Sequence, residues 1–177
     1  ILYFIIIIIL TVLVLEAALM RGVHQYYYKN VEDLLESKIQ LATDFYNRYF
    51  SGYSLDELVI DDIDVLWRQI DSQAQILDVD GYVLMDSIGY ITNEPIMTND
   101  VQLALKGTTG SWIGTVPYDS NRVLAVSSPI YNNGEAVGVM RLVSSLATTD
   151  EAIASLSRIF FWVGLIVVGI TIALSSV

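Results

Sequence analysis

Arg141 is the side chain whose placement in this sequence most plainly asks for a chemical partner. It lies in the run 136–144, where strand alternation puts it on one face with Val137, Val139 and Val143, an otherwise apolar row. A guanidinium there either clamps a carboxylate or phosphate through two parallel N–H donors, or lays its stem on the core and pairs with an acid of the protein's own long helix, such as Glu36 or Asp44. Internal ion pairing is the commoner cause of such a placement. Asp56, Glu57, Asp61, Asp62 and Asp64 bring five carboxylates into nine positions, enough to gather Ca²⁺ or Mg²⁺. Their spacing matches no defined chelating loop, and a solvated helix face is the commoner meaning of such a cluster. Ser111, Ser127 and Ser128 would serve as hydrolase nucleophiles only with a base beside them. The one histidine, His24, reads instead as part of a membrane-interface aromatic belt with Tyr26, Tyr27 and Tyr28. With no cysteine, disulfide frameworks, zinc–thiolate sites and thiol nucleophiles are all excluded.

Two apolar ends must position whatever lies between them. Residues 1–15 carry no charge, and 17–20 extend that run past Glu16; residues 159–177 give 19 more positions without a charge. Both are membrane-helix length, and the first lacks the charged start and small-residue cleavage site of a signal peptide. All 20 acidic and 9 basic residues fall between Glu16 and Arg158, so the net charge of −11 belongs to the intervening stretch. An acidic surface of this kind disfavours nucleic acid as a partner. The length and charge of the stretch place it outside the cell, between two passes through the bilayer of the plasma membrane. The chain starts at Ile1 without a methionine and stops inside an apolar run, so cytoplasmic flanks are expected beyond both ends. The expected division is a membrane helix over 1–20, a folded module over 21–158 and a second membrane helix over 159–177.

Within the module, Tyr28, Val31, Leu35, Ala42, Phe45 and Tyr49 recur at three- and four-residue spacing, interrupted by Lys38, which predicts a long amphipathic helix continuous with the first span. Ser54 and Glu57 form a capping box that opens a second helix through Ile70. The pattern then changes to two short apolar runs around Asp80-Gly81, a hairpin signal. Thr98 or Asn99 is expected to cap a short helix through Lys106, ended by Gly107 in the left-handed conformation. Strand-like runs follow at 111–116, 122–130 and 136–144, separated by 118–121 and 132–134. Thr148 with Glu151 makes another capping box, and no helix breaker precedes the second span. One α+β domain with a five-stranded antiparallel sheet accounts for this order.

That order, with D-x-D-G-x-V at 78–83, S-P-I-Y at 128–131 and G-E-A-V-G-V at 134–139, resembles the single Cache, PAS-like extracytoplasmic domains of bacterial sensor histidine kinases, in particular the phosphate- and cell-wall-type kinases of Gram-positive bacteria. The resemblance implies the input module of a two-component receptor, with no catalytic residue and no cofactor in this stretch. ATP and Mg²⁺ would belong to a kinase part beyond Val177, through which a response regulator would be engaged. It also implies a ligand site between one sheet face and the loops and short helix after the second strand. Trp112, Tyr118, Arg122, Ser127 and Tyr131 would line that site around Arg141, for a small anionic or polar ligand, with divalent cations at the acidic helix as the second choice. The helical stripe predicts a homodimer, weakened by Lys38 in the seam. A chemoreceptor, a cyclic-dinucleotide enzyme and a non-signalling membrane protein with a partner-binding domain share the same input end.

Overall fold

A computed structural model describes residues 2–49, 72–132 and 134–175. The chain runs α1 (Leu2–Tyr49), β1 (Gln73–Leu77), β2 (Val83–Asp86), α2 (Asn99–Leu105), β3 (Gly110–Val116), β4 (Asp119–Asn132), β5 (Glu135–Ser145) and α3 (Ala147–Ser175). Two compact units result, one of Ile1–Asn30 with Ala147–Val177, the other Val31–Leu146. The helix expected to open at Ser54, and with it the five-carboxylate cluster, lies outside the described residues.

The first unit contains two helical segments long and apolar enough to cross a membrane. Their large side chains, among them Leu10, Leu13, Val14, Phe161, Trp162 and Leu165, are exposed, as suits surfaces meant for lipid rather than water. Small and polar groups meet between the helices. Glu16 lies against Gly164, where an added Cβ would run into the carboxylate, and the Tyr28 hydroxyl donates to Asp150 at 2.7 Å. His24 and Tyr28 stack edge to face at 5.7 Å. α3 begins at Ala147, ahead of the expected Thr148 cap.

The second unit is built on one antiparallel sheet with strand order β2-β1-β5-β4-β3. Pairing puts Ala74, Ile76, Leu124, Val126, Met140 and Leu142 on one face, all buried. Ser111 on that face donates to Glu32, which seats α1 there, and α1 turns Leu35, Ile39, Ala42 and Tyr46 inward. This corrects the expected stripe: Leu35 and Ala42 belong to it, but Ile39 and Tyr46 replace Phe45, which is exposed. The opposite face carries Gln75, Leu77, Ala125, Ser127, Val139, Arg141 and Val143. α2 packs its Val101 and Ala104 against Leu77 and Val139 there.

Local chemistry accounts for the connections. Asp78 accepts backbone N–H bonds from Asp80 and Tyr82 at 2.9 and 2.8 Å, and Gly81 takes φ +87°, so the β1–β2 turn is held by an aspartate as well as by its glycine. At the end of α2, Thr108 N–H bonds Leu103 O and Gly107 N–H bonds Ala104 O, a Schellman motif with Gly107 at φ +89°. The break expected at 118–121 is shorter than that: β3 and β4 pair as far as Val116 and Asp119, leaving Pro117-Tyr118 as the turn. Asp119 makes this possible by accepting from Asn121 N–H at 2.8 Å, which draws 119–121 into the strand.

Candidate functional site

Arg141 stands at the centre of β5, level with Gln75 of β1 and Ser127 of β4. It is buried to 1% exposure and pairs with neither Glu36 nor Asp44. Its Nε donates to Asp100 Oδ2 at 2.8 Å, and Asp100, in the first turn of α2, is fully buried. Nη1 donates to Gln75 Oε1 at 2.8 Å, and Ser127 Oγ donates to the same Asp100 oxygen at 2.7 Å. Gln75 and Gln73 then each donate to Asp86 Oδ2 at 2.7 Å, carrying the network to the sheet edge. A buried pair of this kind needs such added hydrogen bonds, because Coulomb attraction alone does not repay desolvation of both ions. The guanidinium also sits 5.8 Å from the centre of the Trp112 ring.

Beside this network lies a pocket of about 190 Å³. Trp112, Thr115, Tyr118 and Arg141 form the sheet side; Tyr90, Thr92, Glu94, Ile96 and Thr98, from the segment between β2 and α2, form the other. Two polar atoms of its lining residues, Thr98 Oγ1 and the Tyr118 hydroxyl, are buried without a hydrogen-bond partner, as is Asp100 Oδ1 in the adjoining network. Thr98 occupies the N-cap position of α2, yet its hydroxyl does not cap the helix. Each such orphaned group costs about 1–3 kcal/mol. Groups of this kind are ones that a ligand or a water can satisfy.

Burial pushes the Tyr118 phenol above its ordinary value near 10, while Gln73 and the Arg141 charge pull weakly the other way. Gln73 is near enough to act electrostatically without completing a well-formed hydrogen bond. Tyr118 therefore stays protonated at neutral pH and can both donate and accept. Its ring stacks on Tyr90 at 4.3 Å. A larger recess of about 400 Å³ on the other side of Tyr118 is lined by Ser72, Gln73, Ile88, Asp119, Val143 and neighbours. It adds no further orphaned polar atom, and its one carboxylate, Asp119, is held below the usual range chiefly by the Asn121 backbone N–H. The smaller pocket is the stronger candidate on chemistry.

Of the residues singled out from the sequence, Arg141, Trp112 and Tyr118 line this pocket together. Ser127 lies beneath it, bonded to Asp100. Arg122 is exposed on β4 opposite Thr115, and Tyr131, far along the same strand, donates to Gly107 O at 3.3 Å. Asp100, Gln75, Thr98, Tyr90 and Glu94 were not anticipated. Among the described residues no group of three His, Asp or Glu side chains is placed to hold a metal ion. The serines are engaged within the fold: Ser127 with Asp100, Ser128 with Thr109, Ser111 with Glu32. None of these partners is an imidazole.

No family model matches the chain, and no curated protein matches it. Among solved structures it is similar to the ligand-binding domain of the Campylobacter jejuni chemoreceptor Tlp3 in complex with L-norvaline, at 17% identity and a TM-score of 0.58, over 85% of this chain and 63% of that one. The isoleucine-bound sensory domain of Tlp3 gives 18% identity and a TM-score of 0.56 over 86% of this chain and 65% of that one. The periplasmic domain of RsbU from Chlamydia trachomatis gives 12% and 0.50 over 81% and 56%. The chain thus spans under two thirds of the length of each of these three domains. At such identities the likeness is one of fold, and that fold is the Cache-type, PAS-like α+β architecture of a long N-terminal helix on a five-stranded antiparallel sheet.

Proposed function

We propose that this chain is the extracytoplasmic input module of a two-pass membrane receptor, which senses a small polar molecule and relays its presence through α3. One observation carries the reading. β5 bears Arg141 at the wall of a pocket with unsatisfied polar groups, and a single residue, Leu146, separates that strand from α3, which is apolar enough to cross a membrane. A change at the pocket is thereby connected along the chain to the second span. The Tlp3 domains of the same fold hold L-norvaline and isoleucine, which accords with a small polar ligand here.

A sensor histidine kinase is the output we favour from the sequence motifs, and a chemoreceptor is the second reading, favoured by the Tlp3 likeness. The gene beyond Val177 separates them, since a kinase needs a helix bearing a phosphoacceptor histidine. The sensing role is tested by fusing residues 1–177 to the cytoplasmic part of a kinase of known output. Filling the pocket with Thr98→Trp should shift reporter activity in membranes where the variant accumulates normally. Wild-type output from that variant, and from Thr115→Trp on the facing wall, would defeat the proposal.

A further inference from the structure

The pocket's charge pattern points away from the anion that Arg141 first suggests. We propose that it takes a small molecule bearing an ammonium group and no excess negative charge, an amine or a zwitterion of up to amino-acid size. This rests on the sensing reading above and specifies its ligand.

The Arg141 charge is already matched by Asp100 at 2.8 Å, and both side chains are buried, so although Arg141 reaches the pocket wall the pair as a whole carries no net charge. The other charged lining residue is Glu94, exposed on the segment leading to α2. An anion entering would meet a compensated guanidinium and an uncompensated carboxylate. A cation is attracted by that carboxylate instead, in a pocket whose lining also includes the aromatic residues Tyr90, Trp112 and Tyr118. Thr98 Oγ1 and the Tyr118 hydroxyl, both buried and partnerless, supply acceptors for ammonium N–H groups. The net charge of −11 attracts cations at longer range. Nη2 of Arg141 makes no hydrogen bond among the described residues, and its two N–H groups suit the carboxylate of a zwitterion whose own ammonium keeps the whole neutral. A volume of about 190 Å³ equals roughly six waters of liquid, below the range of drug-sized ligand sites.

Four probes on one branched carbon skeleton or of simple charge separate the possibilities when titrated calorimetrically into the full chain in lipid nanodiscs: isobutylamine, L-valine, isovalerate and inorganic phosphate. The amine and the zwitterion should bind, with isovalerate and phosphate at least about tenfold weaker. Glu94→Gln, an exposed change that leaves the melting temperature in place, should weaken isobutylamine roughly fivefold. Anions binding as well as the amine, an unchanged amine affinity in Glu94→Gln, or no binding of any probe at millimolar concentration would overturn the assignment. The pocket-filling reporter experiment uses none of these probes, so its result stands separately, and failure of the ligand class is distinguishable from failure of the sensing role.

Discussion

Arg141 shows how one residue serves stability and site at once. It is the largest fully buried side chain of the described residues, and its charge is held by one carboxylate, which also accepts from Ser127, and by one amide oxygen. Removing one partner leaves the other charge buried and unpaired, which costs about 3–5 kcal/mol, whereas replacing both by apolar groups of similar volume is often near neutral. Arg141→Ala should therefore destabilise the chain by about that amount, and Arg141→Met with Asp100→Leu by less than about 1.5 kcal/mol. Chemical denaturation in nanodiscs, followed by circular dichroism, measures both. A single variant as stable as wild type would mean that the pair is not holding α2 to the sheet.

At the scale of elements, α1 divides its surface between two tasks. Leu35, Ile39, Ala42 and Tyr46 face inward, so they are unavailable to a second chain. Leu34, Leu41 and Phe45 remain exposed, at spacings of seven and four, with half-buried Lys38 between them. That is heptad spacing, and it relocates the expected homodimer seam by one position around the helix. If copies pair along α1, cysteine introduced at Leu41 should cross-link in membranes, while cysteine at Ile39, turned into the core, should not. No cross-link at Leu41 or Phe45 would count against this seam. The same scale explains why α2 stays where the pocket needs it. Gly110 of β3 passes so close to Leu103 and Asp100 that a Cβ would collide, and the Schellman motif at Gly107 stops the helix before it overruns β3.

For the molecule as a whole, the question is whether pocket occupancy reaches the membrane. A ligand can shift a two-state equilibrium only by its differential affinity for the states, and a coupling of about 1–3 kcal/mol is typical. Both Ala154 and Ser155 are exposed in α3, ahead of the uncharged run that starts at Ile159, so changing them disturbs no buried packing. Replacement of both by glycine softens the helix, each costing roughly 1 kcal/mol. The double variant should retain ligand affinity and lose reporter response. Wild-type response amplitude would mean that the signal travels by another route.

The elements were legible because their signals are local. Strand alternation, helical periodicity and the Asp80-Gly81, Gly107 and Asn132–Gly134 punctuation each act within a few residues, and the two uncharged ends announce helices long and apolar enough to cross a membrane. Where a local signal had a rival, it misled slightly: Asp119 recruits 119–121 into β4, and Ile39 rather than Phe45 completes the buried stripe of α1. The site was legible only in part. Arg141 announced itself as a charge in an apolar row, but Asp100 is 41 residues away and at the start of a short helix, where an acid ordinarily answers the helix dipole. Folding α2 across β5 turns that acid into the counter-ion of Arg141, so the internal ion pair expected as the commoner case forms, but with Asp100 rather than with Glu36 or Asp44 of the long helix. The pocket's other wall, Tyr90 to Thr98, has no periodic pattern to mark it, because its residues are brought to the sheet by packing rather than by any repeat along the chain.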